Sequence, residues 1–419
     1  MSQLTSRAHA AYKADGVTTA SPGRLIVMLY DRLLIDLDKN FEVSEIIIDG
    51  AALKTGSWRN PDGLLVIDLP RPVAPGGRIV ARIRYAGRPH EAVNAPWDDG
   101  IVWSSWQGKP WIATTAQGYG CDLFWPCLDF PAGEVPEIRL RITAPSGTKA
   151  IANGKLESVS PPVHGVGEWR WVAKNINPYL VAINIGPYRE IKGSYASRFG
   201  NQVPLHLWHL IGKDAQAAGL FAEFAPTLDF FETMVGPYPF GDEKVGVVET
   251  PHKGMEHQTI NAYGNDYAKT LEGFDWLFQH EFSHEWFANQ LTASNWDDFW
   301  LHEGFTAYMQ PLYGRWREGE GRYTDDVSLP NQAYCVMVRS QVAHGIVKGI
   351  DATDAKAMPG VLGVWTGADL NAAGYGLLKT LIPVPNRDGT PMKTPARHSL
   401  ATDKVRFVGD PVAFVVAET

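Results

Sequence analysis

A short stretch of the chain combines two histidines and two glutamates at spacings that suit a divalent metal. His280, Glu281 and His284 form the pattern H-E-x-x-H, and eighteen residues separate His284 from Glu303. In a helix, the two histidines lie one turn apart on the same face. Neutral imidazole and carboxylate oxygen are suitable zinc ligands, and three protein ligands leave a fourth position for water. We therefore predict one Zn²⁺ ion held by His280, His284 and Glu303.

The sequence around these residues predicts a helix that is buried nearly all round. Apolar side chains occur on both of its sides, namely Leu277, Phe287 and Leu291 beside the histidines and Phe278, Phe282 and Trp286 opposite them. Histidines and carboxylates are costly to bury unpaired, and one metal ion satisfies them together. Glu281 follows the first ligand directly, which predicts that it takes the proton of the attacking water. The alternative interpretation is a pair of core histidines that share a helix face by chance.

The residues that follow resemble the aminopeptidase N and leukotriene-hydrolase family of zinc peptidases, the gluzincins. The matching residues are Trp286, Phe287, Asn289 and Thr292, and then residues 296–305, which match W-D-D-x-W-L-N-E-G-F with His302 in place of Asn. The resemblance implies a thermolysin-like α+β catalytic domain. It also implies an aminopeptidase whose substrates are peptides with a free N-terminus.

A second motif of this family lies upstream and implies where the substrate binds. Gly254, Met255 and Glu256, followed by His257, resemble the exopeptidase motif G-x-M-E-N. By this resemblance Glu256 binds the α-amino group of the substrate, and Gly254 and Met255 belong to the same substrate-binding segment. Gln117, with P-C-L-D-F-P at 126–131, resembles the pattern whose glutamine also reaches that amine. An extended peptide can pair with an edge strand, and a carboxylate at the end of that strand selects a cationic terminus.

Composition limits the remaining possibilities. The net charge of −8 argues against nucleic acid as a partner, and 45% apolar residues allow substantial cores. No apolar run approaches eighteen residues, so we expect no membrane span, and the first residues lack the pattern of a signal peptide. These features predict a cytoplasmic protein. Cys121, Cys127 and Cys335 lack the pattern of a disulfide framework or metal site, which favours buried free thiols.

The predicted fold class is α+β and multidomain. Alternating apolar and polar residues predict a β-sandwich-like domain over 39–190, which lacks the first strands that the family has before Asn40. An incomplete thermolysin-like zinc peptidase domain follows over 191–320. Within it we predict a single helix from Ala215 to Val235, the metal helix over 273–291 and a helix that carries Glu303.

Both flanks of this peptidase-like region resemble unrelated families. Residues 1–38 predict one amphipathic helix, and Ala11-Tyr12 with residues 19–22 and 25–30 resemble the start of the flagellin export chaperone. In residues 321–419, V-R-S at 338–340, P-G-V at 359–361 and V-R-F-V-G-D-P-V-A at 405–413 resemble the α/β hammerhead of xanthine dehydrogenase large subunits. No molybdenum cofactor is expected, because its contacts in that family come from later domains. We predict a chimera of three segments, with seams near 37–41 and 317–323.

Two interpretations of function remain at this stage. The first is a zinc-dependent aminopeptidase, and the second is a catalytically weak or inactive zinc-binding scaffold. In the family a tyrosine hydroxyl, about sixty residues beyond the third ligand, stabilises the oxyanion. That position falls near Val364, where no tyrosine has a matching context, and Tyr308, Tyr313 and Tyr323 come too early. The sequence therefore predicts zinc binding with poor turnover.

Overall fold

The computed structural model describes residues 31–74, 76–117, 120–270, 272–318, 330–375, 377–378, 390–393, 395 and 397–418. The chain divides into two compact units, Met1–Tyr323 and Thr324–Thr419. Two sequence predictions lie outside the described residues. They are the N-terminal helix up to residue 30 and the part of the second seam from 319 to 323.

The first unit begins with a β-rich region, as the alternating sequence predicts. Its strands are β1 (Arg32–Asp36), β2 (Phe41–Ile48), β3 (Ala51–Ala52), β4 (Trp58–Arg59), β5 (Leu64–Asp68), β6 (Ala81–Gly87), β7 (Gly100–Trp106), β8 (Lys109–Thr115), β9 (Val135–Pro145), β10 (Lys149–Ala152), β11 (Lys155–Val163), β12 (Val166–Ile176) and β13 (Ile183–Gly186). They form antiparallel sheets in the orders β1-β5-β4, β3-β2-β6, β10-β13-β8-β7 and β11-β12-β9. In β12, buried Trp169 and Trp171 alternate with exposed Arg170, as expected for a sheet with one covered face.

For residues 31–38, the described end of the predicted N-terminal helix, the structure corrects the prediction. Residues 32–36 form strand β1, which pairs with β5 from Arg32 opposite Asp68 to Asp36 opposite Leu64. Leu37 is fully buried in a core cluster with Phe41 and other residues of this region. Non-local strand pairing and burial therefore outweigh the local helical pattern. The β-rich region therefore has a strand before Asn40. The first seam, near 37–41, stays a prediction.

The prediction of three buried free thiols is also wrong. Cys121 and Cys127 form a disulfide, with their Cα atoms 6.3 Å apart, and Cys335 is exposed. Cys121 begins a short 3₁₀ turn, and the backbone of Cys127 pairs with that of Asp36. This turn brings two cysteines six positions apart into the Cα range that a disulfide requires, which their spacing alone did not indicate.

A mixed five-stranded sheet follows and carries the predicted substrate segment. Its strands are β14 (Tyr188–Ala196), β15 (Gln202–Leu210), β16 (Val245–Glu249), β17 (Gly254–Met255) and β18 (Asn261–Tyr263), in the order β14-β15-β16-β18-β17. β15, β16 and β18 are parallel, and β14 and β17 run antiparallel to their neighbours. His206 and His209 lie in β15. The short strand β17 forms one edge of the sheet.

The helices of this part are α1 (Asp214–Phe221), α2 (Phe224–Met234), α3 (Trp276–Ser283) and α4 (Trp300–Glu318). The single helix predicted from Ala215 to Val235 is therefore two helices. Pro226 explains the break, because proline has no amide to continue a helix and fits in the first turn of a new one. The helix predicted to carry Glu303 is present as α4.

The predicted metal helix is shorter than expected. α3 begins after Asp275, whose side chain accepts hydrogen bonds from the amides of Leu277 and Phe278, and it ends at Ser283. A turn over Glu285–Gln290 with hydrogen bonds between residues five apart, here called the π-helical turn, replaces the predicted continuation to residue 291. The backbone of Phe287 and Ala288 inside this turn is not helical. The helix is therefore interrupted, and Leu291 leaves the buried stripe and is 64% exposed, contrary to the prediction.

Aromatic side chains pack α3 and the π-helical turn against α2. The rings of Phe231 and Trp286 stack with centroids 4.5 Å apart, and those of Phe224 and Phe278 stack at 4.7 Å. All four belong to one buried cluster that also includes Phe282. Such pairs bury large apolar areas and hold one geometry, so they fix the helix that carries His280.

The second unit contains a small sheet with the order β19-β23-β21 and a two-stranded ladder of β20 and β22. These strands are β19 (Tyr334–Arg339), β20 (Gly345–Ile346), β21 (Val361–Thr366), β22 (Lys404–Val405) and β23 (Pro411–Ala417), and the helices are α5 (Thr353–Ala357) and α6 (Gly367–Ala372). Thr366 and Asp369 form a capping box at the start of α6. In the described part of both units, no helix combines the length and apolarity needed to cross a lipid bilayer.

The position of Leu37 generates a stability prediction. Leu37→Ala should lower the free energy of unfolding of the first unit by about 2–5 kcal/mol, because it empties a fully buried site in the β-rich core. Chemical denaturation followed by tryptophan fluorescence measures the change. Val80→Ala is the matched control, since Val80 is 72% exposed. An effect of Leu37→Ala as small as that of the control would show that this segment is not part of the core.

Candidate metal centre

The three predicted metal ligands converge at one place. His280 and His284 lie at the end of α3, and Glu303 lies in the first turn of α4. His280 Nε2 is 3.4 Å from Glu303 Oε2, and His284 Nε2 is 3.7 Å from Glu303 Oε1. The three potential ligand atoms all lie within 4.8 Å of one another. This donor set of two imidazoles and one carboxylate matches the set that open zinc sites use.

The surroundings of His284 orient its ring for metal binding. His284 Nδ1 lies 3.2 Å from the carbonyl oxygen of Phe287 and 3.1 Å from the Thr306 hydroxyl. A proton on Nδ1 can be donated to that carbonyl, which leaves the lone pair on Nε2. His284 Nε2 is buried without a hydrogen-bond partner among the described residues. An unpaired buried acceptor beside a carboxylate and a second imidazole fits a cation ligand.

The protonation states also suit a cation. Burial lowers the pKa of His284 to about 3, so its ring is neutral near pH 7. Burial acts to raise the pKa of Glu303, but the hydrogen bond with His280 and the charge of His284 outweigh it and lower this pKa to about 2. A neutral imidazole and an ionised carboxylate are the forms in which these residues bind zinc.

Glu281 lies beside the ligands and against strand β17. Its side chain is 7% exposed. Burial, and then the charges of Glu256 and Glu303, raise the pKa of Glu281 well above its usual range. A Cβ atom at Gly254 would overlap the Glu281 carboxylate, so only glycine allows this close approach. A divalent cation would oppose the raised pKa, because it favours the ionised carboxylate.

Glu256 belongs to the same constellation. It is 2% exposed, and its Oε1 has no hydrogen-bond partner within the described ranges. Burial, and then the charge of Glu303, raise the pKa of Glu256 to about 8. Potential ligand atoms of Glu256, Glu281 and His284 lie within 4.8 Å of one another. The structure thus brings the predicted amine-binding carboxylate next to the predicted base.

Two further residues hold the Glu256 segment against the π-helical turn. Asn289 Nδ2 donates to the Glu256 carbonyl at 2.9 Å and to Glu285 Oε2 at 3.2 Å. Glu285 Oε1 accepts from the Thr259 amide at 2.9 Å and from Asn261 Nδ2 at 3.1 Å. Sequence reasoning did not single out Glu285. A carboxylate directly after H-E-x-x-H, in a buried stretch that needs a polar partner, was the available signal.

Gln117 and His302 have no contact with the candidate metal ligands among the hydrogen bonds of the described residues. The backbone N–H of Gln117 donates to Asp99 Oδ1 at 2.7 Å. The charge of Asp99 is one of the smaller causes of the raised pKa of Glu256. A role for the Gln117 side chain stays a prediction. His302, in place of the family's Asn, accepts a hydrogen bond on Nε2 from the Ala293 amide. This contact gives His302 a structural function beside Glu303.

The ligand geometry predicts the effect of removing one imidazole. His284→Ala should lower zinc affinity at least about 100-fold, because loss of an outer partner of a ligand alone costs about 10- to 100-fold. Zinc per chain after dialysis, measured by atomic emission, tests this. His209→Ala is the control, since His209 is a buried strand histidine outside the ligand set. Stoichiometric zinc in His284→Ala would refute the ligand assignment.

Two protein-family models match the chain. The one described as "Peptidase family M1 domain" matches residues 237–350, and the one described as "Aldehyde oxidase and xanthine dehydrogenase, a/b hammerhead domain" matches residues 318–419. These matches confirm the peptidase and hammerhead resemblances of the sequence. The resemblance of the first residues to a flagellin chaperone stays a prediction.

The curated relatives also fall into two groups, one that includes aminopeptidases and one that includes the large subunits of hydroxylases and dehydrogenases. The chain is 25% identical over 248 residues to aminopeptidase N of Bos taurus, an alignment that covers 55% of this chain and 25% of the aminopeptidase. It is 39% identical over 104 residues to the carbon monoxide dehydrogenase large chain of Afipia carboxidovorans, covering 25% of this chain and 12% of that protein. The chain thus spans a quarter or less of the length of these two relatives.

A solved structure supports the fold of the peptidase part. The M1 zinc metallopeptidase of Deinococcus radiodurans superposes with a TM-score of 0.58 at 24% sequence identity, covering 69% of this chain and 64% of that one. At this identity the likeness concerns the fold alone. The chain therefore joins a segment similar to M1-family zinc aminopeptidases to a segment similar to the hammerhead domain of aldehyde oxidase and xanthine dehydrogenase.

Proposed function

We propose that the chain is a zinc-dependent aminopeptidase that releases N-terminal residues from peptides. One observation supports this most strongly. The ligand set of His280, His284 and Glu303 lies in contact with two further buried carboxylates, Glu281 and Glu256. A structural zinc site needs only ligands. The two additional carboxylates match the needs of a hydrolytic base and of a site for a cationic N-terminus.

His280, His284 and Glu303 would hold the zinc ion. When bound, zinc supplies a Lewis acid that polarises the scissile carbonyl and increases the nucleophilicity of water near neutral pH. The contact of His284 Nδ1 with the Phe287 carbonyl keeps Nε2 directed toward Glu303. The protein thereby fixes the ligand ring before the ion binds.

Glu281 acts as the general base and then as the general acid. Its carboxylate accepts a proton from the attacking water and delivers it to the leaving amine nitrogen. Because Gly254 has no side chain, the Glu281 carboxylate can lie directly against strand β17, beside the candidate ligand His284. A base held next to the reacting atoms is a large part of catalysis by positioning.

Glu256 and strand β17 bind the substrate. The buried Glu256 carboxylate, with an unpaired oxygen, favours a cationic α-amino group over a neutral or acylated terminus. Gly254 and Met255 form the edge strand β17, which pairs with β18 on one side. An extended peptide can pair with the other side of that strand. The Gln117 side chain adds a contact to the amine in this proposal.

Turnover should be well below that of a complete aminopeptidase. Among the described tyrosines beyond Glu303, Tyr308, Tyr334 and Tyr375 are 54%, 47% and 66% exposed, and the Tyr313 hydroxyl accepts a hydrogen bond from Thr227. Val364, near the expected position of the oxyanion donor, lies in β21. Loss of one such donor costs about 10²- to 10³-fold in turnover.

The lack of a suitable tyrosine hydroxyl among the described residues beyond Glu303 also favours a second candidate function. A chain that binds zinc and peptide N-termini without an oxyanion donor would be a binding scaffold. It would retain the ligand set and Glu256 but would not hydrolyse a peptide bond at a useful rate. Hydrolysis and zinc content, measured on the same sample, distinguish the two functions.

The aminopeptidase proposal predicts slow, zinc-dependent hydrolysis of alanyl-p-nitroanilide by the purified chain. Glu281→Gln should abolish it while zinc remains near one per chain, because the substitution removes the base and leaves the ligands. The N-acetylated anilide should not be hydrolysed, since it has no cationic terminus for Glu256. Steady-state kinetics together with metal analysis measure both effects.

Glu42→Gln is the matched control, because Glu42 is an exposed residue of strand β2. It should leave hydrolysis unchanged. Activity that survives in Glu281→Gln, or equal hydrolysis of the acetylated substrate, would contradict the assigned mechanism. Stoichiometric zinc with no hydrolysis would instead support the scaffold. A rate equal to that of a complete aminopeptidase would refute the argument about the missing tyrosine.

A further inference from the structure

Tyr179 is a buried tyrosine that the proposed mechanism has not used. It lies in the 3₁₀ turn Pro178–Leu180 of the β-rich region and is 1% exposed. Its hydroxyl has no hydrogen-bond partner among the residues that the structure describes. A buried hydroxyl without a partner is costly, and such groups in native proteins usually have a functional reason.

The position of Tyr179 is fixed from two directions. Asn177 Oδ1 accepts a hydrogen bond from the Tyr179 amide, and Asn177 Nδ2 donates to the Pro131 carbonyl at 2.6 Å. The Tyr179 ring makes an edge-to-face contact with Trp296, with centroids 5.1 Å apart. The side chain therefore has one well-defined direction.

The turn that carries Tyr179 is tied directly to the Glu256 segment. Asn153 Nδ2 donates to the Leu180 carbonyl at 2.8 Å and to the Gln258 carbonyl at 2.7 Å. Tyr179 and Met255 also belong to the same buried cluster. The side-chain amide of Asn153 therefore joins Leu180, which follows Tyr179, to Gln258, which lies two positions beyond Glu256.

Tyr179 packs in the same buried cluster as Met255, the residue before Glu256. Burial, then the charges of Glu256 and Glu303, and last a weak hydrogen-bonding interaction with Glu256 raise the pKa of Tyr179 well above its usual range. The phenol therefore stays protonated, with one proton to donate and lone pairs to accept. Glu256 Oε1 is likewise without a partner in the described part of the chain. The phenol and the Glu256 carboxylate thus lie near each other, and no hydrogen bond of standard geometry satisfies the Tyr179 hydroxyl or Glu256 Oε1.

We infer that Tyr179 is a further substrate-binding residue, whose hydroxyl donates to Glu256 and accepts an N–H of the substrate's α-ammonium group. This inference rests on the proposed aminopeptidase function. An ammonium group has three N–H donors, and a single carboxylate does not satisfy all of them. The Tyr179 oxygen supplies one more acceptor, and its proton holds the Glu256 carboxylate in place. The β-rich region would then contribute directly to recognition of the N-terminus.

A role as the missing oxyanion donor is the competing assignment for this hydroxyl. The contacts of Tyr179 favour the amine side, because its segment is bound to that of Glu256 and Gln258. The two roles differ in what they predict. An amine contact affects only ligands with an α-amino group, whereas an oxyanion donor affects turnover of every substrate.

The test uses the zinc-loaded full chain with Tyr179→Phe and two hydroxamates. Leucine hydroxamate carries the α-amino group, and 4-methylpentanohydroxamic acid is the same molecule without it. Calorimetry should show that Tyr179→Phe weakens leucine hydroxamate about 10-fold or more, because a hydrogen bond to a charged group is lost. The affinity of the des-amino compound should change less than about twofold. Tyr195→Phe is the control, since the Tyr195 hydroxyl pairs with Glu232 elsewhere.

Each other outcome overturns the inference. Equal weakening of both hydroxamates, or no weakening of either, would exclude an amine contact. A melting temperature of ligand-free Tyr179→Phe clearly below that of the wild type would assign the hydroxyl a structural role instead. If the wild-type chain binds zinc but neither hydroxamate, the proposed function fails, and the inference fails with it. Leucine hydroxamate bound by the wild type no more tightly than the des-amino compound would contradict the amine site while leaving the zinc site intact.

Discussion

Charge repulsion among buried carboxylates is the constraint on which the rest of this structure depends. Glu256, Glu281 and Glu303 lie together beside two imidazoles, in a place where burial already disfavours their ionised forms. Like charges at such distances repel strongly when water is largely excluded. In the proposed function, a divalent cation ligated by His280, His284 and Glu303 would convert this repulsion into attraction, and a cationic substrate terminus would add to it. The proposal thus assigns two positively charged groups to this cluster of carboxylates.

The architecture around the site keeps these unfavourable contacts in position. The stacked aromatic rings of α2 and α3 fix the helix that carries the histidines, and Asp275 caps its first turn. On the other side, Glu285 and Asn289 bind the backbone of the Glu256 segment to the π-helical turn. These contacts outside the carboxylate cluster hold its side chains near one another although their charges repel.

The sequence indicated which candidate ligands lie together but not the contacts that orient them. Helical periodicity, which is local, places His280 and His284 on one face. Glu303 lies on another helix, and its approach to them was expected from the family resemblance. Strand β1 was not predicted because it depends on pairing with β5, which is distant in the chain. The Cys121–Cys127 disulfide and the end of α3 were not predicted because each depends on an irregular local turn of the backbone. Tyr179 and Glu285 were also missed. Their importance follows from unpaired or shared hydrogen bonds, which only a folded chain displays.

The zinc ligand set is the central claim, and it can be tested without turnover. X-ray absorption at the zinc edge of the purified chain reports the ligand atoms directly. The account predicts two imidazole nitrogens and additional oxygen ligands at about 2.0–2.2 Å, with no sulfur. Replacing His280 by alanine should remove one imidazole contribution from any zinc that remains. A zinc–sulfur shell at about 2.3 Å, or a spectrum without imidazole scattering, would contradict the account.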